Sequence, residues 1–153
     1  MNKSTNPLHD VTVRILEDWA MMLVEDSSVT PELFEKDKPF IFSSIEFSGE
    51  FNGIIGITFQ KPFIVQIARN VLGISEDQEP SAAEINDAAA ELANVVTGNF
   101  LTEAYGEDLA FKVVAPRIRE VQSHSITQLF NGPQCCCVTG DGIPVVTSMT
   151  VKE

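Results

Sequence analysis

One segment limits the possible folds of this chain more than any other: the run of helix formers from Ser81 to Tyr105. Ser81-Ala82-Ala83-Glu84 has the spacing of a capping box, in which a serine hydroxyl and a glutamate carboxylate each satisfy an orphan N–H of the first turn. Gly106 is a natural stop. The spacing predicts one uninterrupted helix, and stepping about 100° per residue sorts its side chains into two faces. Ile85, Ala89, Leu92, Val96 and Phe100 form an apolar face. Glu84, Asp87, Glu91, Asn94, Gly98 and Thr102 form a polar stripe on the other side. A helix this long with one complete apolar face has to be packed against a second layer.

The rest of the chain supplies that layer. Asn6 can cap a first helix and Pro7 suits its first position. Leu8, Val11, Ile15, Trp19 and Leu23 recur at helical spacing, which predicts a helix that ends at Glu25-Asp26-Ser27-Ser28. Pro31 and Pro39 bracket a connector. Phe40 to Phe47 and Ile54 to Phe59 read as a hairpin, with Gly49 and Gly53 expected to supply a positive φ or a bulge. A second helix opens at Lys61-Pro62, carries Ile64, Ile67, Ala68, Val71 and Leu72, and stops at Gly73. In the last third, Ile118 to Phe130 reads as extended. Cys135 to Thr139 and Val145 to Val151 form strands joined by Gly140-Asp141-Gly142. The expectation is a single α+β domain over 1–153, with helices packed on a mostly antiparallel sheet and about six flexible N-terminal residues.

Charge excludes several functions. Ten Lys and Arg against 22 Asp and Glu give a net charge of −12. Binding nucleic acid needs clustered cations, and an anionic bilayer repels such a surface. Hydrophobic residues make up 44% of the chain, so a disordered acidic tail is excluded too. No apolar run approaches the roughly 18 residues of a membrane span, and the N-terminus has no apolar core of a signal peptide. Cys135, Cys136 and Cys137 are odd in number and adjacent, which points to a reducing compartment and a soluble cytoplasmic protein. They read as small buried strand residues. Cys135 and Cys137 share a strand face that His124 could join, but that set leaves zinc a ligand short. His9 and His124 read as surface or hydrogen-bonded histidines. No metal site, nucleophile motif or phosphate loop is present.

A polar stripe opposite a packed one is what any surface helix shows, but two of its residues go beyond that. Asn94 is a poor helix-interior residue. Gly98 costs about 1 kcal/mol against alanine in an exposed helix, and its missing side chain would let a partner's backbone come close. The stretch Asp87-Ala88-Ala89-Ala90-Glu91-Leu92-Ala93-Asn94 resembles the signature of the CheC/CheX/FliY phosphatases of bacterial chemotaxis. Val95-Val96-Thr97-Gly98-Asn99, the earlier Phe47-Ser48-Gly49 to Gly53 with Ile57, and Ile67-Ala68 with Leu72-Gly73 are similar to the CheX branch. The likeness runs from about Asp10 to Val151. One departure is that twenty-one residues separate Asn94 from Pro116, one fewer than in the family's pattern.

The resemblance implies a fold, a reaction and a partner. The family hydrolyses the aspartyl phosphate of a response-regulator receiver domain, with phosphorylated CheY as the expected substrate. It implies that Asn94 orients the attacking water and Glu91 docks on a receiver lysine. Asp87, Gly98 and Glu84 are the expected partner-contacting residues. It implies no cofactor of the chain's own, magnesium supplied by the receiver, and a homodimer. The alternative is a non-catalytic binding module or adaptor for a receiver domain or a flagellar motor component, using the same helix.

Overall fold

The computed structural model describes residues 6–28, 31–108, 110–122 and 134–152. Among these residues, three helices lie on one face of an antiparallel sheet. In chain order the elements are α1 (Pro7–Asp18), β1 (Val24–Asp26), a 3-10 turn (Pro31–Leu33), β2 (Phe40–Ser48), β3 (Asn52–Phe59), α2 (Lys61–Leu72), α3 (Ala82–Tyr105), β4 (Lys112–Val113), β5 (Arg117–Val121), β6 (Gln134–Gly140) and β7 (Ile143–Lys152). The sheet order is β1-β6-β7-β3-β2, and both β4 and β5 pair with the remaining side of β2. The α+β architecture is therefore the expected one.

Alternation explains how the sheet is covered. On β2, Ile45 and Phe47 turn toward the helices, as do Ile55, Ile57 and Phe59 on β3 and Val145 and Met149 on β7. They meet Leu8, Val11 and Ile15 of α1, Phe63, Ile64 and Ile67 of α2, and Ala89, Leu92, Val96 and Phe100 of α3 in one core. On the opposite face, Phe40, Cys137 and Val146 pack with Phe34 in a smaller cluster.

Most local expectations hold. The Asn6 side chain accepts from the His9 N–H at 3.1 Å with Pro7 behind it, and Gly73 caps α2 at φ 68°. The β6–β7 hairpin turns through Asp141 and Gly142 at φ 51° and 81°, the positive pair that a two-residue primed turn requires. The sequence reading of Ile118 to Phe130 is met by β5 as far as Val121. Residues 123–130, with His124 and the tail of that segment, lie outside the described residues.

Three expectations are corrected. The first helix does not run to Glu25. It stops at Asp18: the Ala20 N–H reaches back to the Ile15 carbonyl at 3.2 Å, Met21 takes the left-handed conformation at φ 56°, and the Met22 N–H closes on the Leu16 carbonyl at 2.9 Å. Leu23 is then 72% exposed rather than on a helix face, and its N–H is held by the Asp141 carboxylate at 2.8 Å. This hands the chain to β1, which pairs with Val138–Gly140 at the sheet edge. Second, Gly49 and Gly53 do not have positive φ. They make room for aromatic rings: a Cβ on Gly53 would stand 2.5 Å from Phe47 Cζ, and one on Gly49 2.9 Å from Phe111 Cδ1. Third, Leu72 lies on the exposed side of α2 rather than in its apolar stripe.

The remaining chemical candidates resolve quietly. Cys136 and Cys137 are buried and Cys135 half-buried, all as free thiols. Cys136 Sγ lies 2.7 Å from Thr147 Oγ1, on the helix side of the sheet. Burial pushes all three thiols up, Cys137 to about 11, so they are poor nucleophiles near neutral pH. His9 Nε2 lies 2.6 Å from the Asp26 carboxylate, which ties α1 to β1.

Candidate functional site

Helix α3 carries the candidate site, and its first turn is built as read. Ser81 Oγ accepts from the Glu84 N–H at 3.1 Å, and the Ser81 N–H donates to Glu84 Oε1 at 2.8 Å. Glu84 is therefore engaged in the cap, half-buried, and set apart from the rest of the stripe. Asp87, Glu91, Asn94, Gly98 and Thr102 are all exposed and share one side of the helix. Among the described residues, Asp87, Glu91 and Asn94 make no side-chain hydrogen bond or ion pair. Glu91 and Asn94 are three residues apart, which brings their Cβ atoms to about 5–6 Å.

The opposite face holds the helix still. Ala88, Ala89, Leu92, Ala93, Val96, Phe100 and Leu101 are buried. Ser43 of β2, fully buried, donates its hydroxyl to the Ala89 carbonyl at 2.8 Å. At the far end, Arg14 of α1 grips Glu103 with two 2.8 Å hydrogen bonds. Phe51 stacks edge-on against Tyr105 at 5.0 Å and Phe111 at 5.3 Å, and Tyr105 meets Phe100 at 5.9 Å. Glu91 and Asn94 lie between these anchors, so their backbone is pre-positioned.

Gly98 has no packing reason to be glycine. A Cβ built there meets nothing within 4 Å. It borders a shallow groove of about 400 Å³ at the C-terminal end of α3, walled by Leu101, Thr102, Phe111 and Val113.

The stripe offers an amide, two free carboxylates and a surface open to close approach. It offers no nucleophile, and among the described residues no cluster of His, Cys, Asp and Glu is placed to hold a metal ion. No helix of the described residues is long and apolar enough to cross a membrane. Sequence reasoning missed Ser43, Arg14 and the aromatic clamp. For Ser43 a signal existed: it is the one hydroxyl in the helix-facing register Ile41, Ser43, Ile45, Phe47.

Residues 41–139 match the family model described as chemotaxis phosphatase CheX. The chain belongs to the CheX family. The stripe of α3 and its anchors in β2, including Ser43, fall inside the matched region. Solved structures agree on the fold. CheX from Vibrio vulnificus superposes with a TM-score of 0.73 at 18% identity, over 97% of this chain and 95% of that one. A CheC-like superfamily protein from Shewanella gives 0.70 at 21% identity, over 96% of each chain. CheX from Borrelia burgdorferi, in a CheX–CheY–BeF3–Mg complex, gives 0.65 at 16% identity, over 96% of each chain. A comparison with curated proteins finds no match. At these identities the solved structures speak for the fold.

Proposed function

We propose that this CheX-family chain hydrolyses the aspartyl phosphate of a receiver domain, with phosphorylated CheY as substrate. The observation that carries the reading is the pair Glu91 and Asn94: exposed, without partners among the described residues, adjacent, and mounted on a helix fixed at both ends. The Borrelia burgdorferi CheX of the same fold is found in complex with CheY, which supports a receiver as the partner.

The chemistry suits such a sparse site. An aspartyl phosphate is an activated acyl phosphate, so the phosphatase needs no nucleophile of its own. Water attacks the phosphorus, the bond to the aspartyl oxygen breaks, and inorganic phosphate and a free carboxylate result. What remains is to hold one water in line. The Asn94 amide can accept from and donate to that water without placing charge near the anionic phosphoryl group. Glu91, one turn earlier, pairs with the receiver's lysine and fixes register. Asp87 steers the approach, and Gly98 lets the receiver's backbone come close. Glu84 touches the partner only through the edge of its capped turn. Magnesium arrives with the receiver. In this reading the protein works in the cytoplasm as a single-domain chain and assembles as a homodimer, which light scattering would test.

The deciding experiment adds catalytic amounts of protein to a phosphorylated CheY receiver and follows phosphate release. Faster release, lost on Asn94→Ala with binding retained, is the expected result. Binding without acceleration would favour the adaptor reading instead.

A further inference from the structure

The groove beyond Gly98 is a surface feature of about 400 Å³ that the phosphatase chemistry leaves unused. It continues the line of the stripe: Leu101 follows Asn94 by seven residues, about 10 Å along the axis and almost the same direction around it. Its walls are Leu101, Thr102, Phe111 and Val113, and among the described residues Glu107 is the only charged one lining it. Val113 is 54% exposed, in a two-residue strand that pairs with the end of β2. The phenyl ring of Phe111, clamped by Phe47 at 5.4 Å and Phe51, makes one wall rigid.

We propose that this groove is a second docking contact for the receiver, taking one apolar side chain that the receiver presents beside its phosphorylated aspartate. The inference rests on the phosphatase reading for the identity of the partner. Charge selects an apolar occupant. The stripe carries Asp87 and Glu91, the chain carries −12, and the receiver's phosphoryl site is anionic, so attraction between whole surfaces cannot supply affinity. A nearly uncharged, partly apolar recess next to the reacting center can, because burying an apolar side chain is favourable whatever the charges around it. The groove's place fits one rigid partner: a body seated with its phosphoryl group at Asn94 extends over Gly98, where nothing obstructs it, and reaches the recess one to two turns farther on.

The test measures affinity for a CheY receiver domain activated with beryllium fluoride and magnesium, and turnover of the phosphorylated form. Val113→Asp, which puts a carboxylate into the recess, and Thr102→Trp, which fills it, should each weaken binding about tenfold. Turnover at saturating receiver should be unchanged, and helix content by circular dichroism should match the unsubstituted protein. Leu72→Glu, an equally exposed apolar position outside the groove, should change nothing. Affinity within about twofold of the unsubstituted protein for both groove variants would overturn the assignment. So would a changed oligomeric state with unchanged receiver affinity, which would give the groove to a second copy of this chain. A protein that binds the receiver without hydrolysing its phosphate sinks the phosphatase reading. The groove inference then stands or falls on the two variants' affinities.

Discussion

Replacing Gly98 by alanine should make this protein more stable and less able to engage its partner. Gly98 sits seventeen residues after the Ser81 cap and well before Gly106, inside a regular helix. Its φ is not among the positive ones, so a side chain meets no backbone strain. A Cβ there has open space on all sides, so the steric cost is nil. What remains is propensity: alanine is favoured over glycine by about 1 kcal/mol in a helix interior. A gain of that size should raise the melting temperature by roughly 2–4 °C in a domain of this length. Gly98→Leu, nearly as good a helix former, should stabilise similarly while projecting four carbons over the surface next to Asn94. Unfolding in urea, followed by circular dichroism, measures the first effect. Titration with activated CheY receiver measures the second, with Gly98→Leu expected to weaken binding at least about tenfold. A loss of stability on Gly98→Ala would refute the packing argument. A stabilised Gly98→Leu protein with undiminished binding and turnover would refute the claim that the glycine serves a partner.

The other expectations are briefer. Asn94→Ala should lower turnover about 100-fold with receiver affinity nearly unchanged, the scale of a lost positioning contact, as read in single-turnover assays at saturating protein. Ser43→Ala removes the buried hydroxyl bond to the Ala89 carbonyl and should cost about 1 kcal/mol in urea unfolding, without altering the helix content. His9 titrates above its ordinary value because the Asp26 carboxylate accepts from its ring and Asp10 stands alongside. Its contribution is therefore fully present below about pH 6.5 and is lost as pH rises through the elevated value. His9→Gln should flatten stability against pH over that window, as measured by urea midpoints at a series of pH values.

How much was legible before the structure depends on how local each cause is. The long helix could be read because its cap, its apolar face and its stop all lie within 26 residues of sequence. Asn94 and Gly98 were legible as residues that the helix itself has no use for. The edge strand Val24–Asp26 was not, since three residues carry no alternation and their pairing is set by Asp141, more than a hundred residues away. The end of α1 was hidden for a related reason: Met21 adopts a conformation that usually announces itself as glycine or asparagine. Gly49 and Gly53 were visible but misread. Their small size serves the rings of Phe111 and Phe47, and only tertiary contact reveals that. The supports of the site failed the same way. Ser43 reaches a carbonyl 46 positions along the chain, and Arg14 a carboxylate 89 positions along.

That division of labour follows from the chemistry proposed for the site. A phosphatase acting on an acyl phosphate contributes geometry rather than a reactive group, so its working residues can be ordinary in type and exposed in place. The demand falls on the scaffold, which has to hold an amide and a carboxylate to a few tenths of an ångström on an open surface. In this chain that demand is met by a helix of 24 residues, bonded at Ala89 from beneath and held at its far end by Arg14 and by stacked aromatic rings. The acidity of the surface adds a second constraint. With 22 acids against 10 cations, an anionic phosphoryl site is not drawn in from a distance. In the proposed reading, recognition depends on contacts that act only at short range: one carboxylate placed for one lysine, a glycine that opens the approach, and a nearly uncharged recess beside it. A receiver that lacks the matching lysine gains nothing from the rest of the surface, so the same acidity that weakens attraction sharpens the choice of partner.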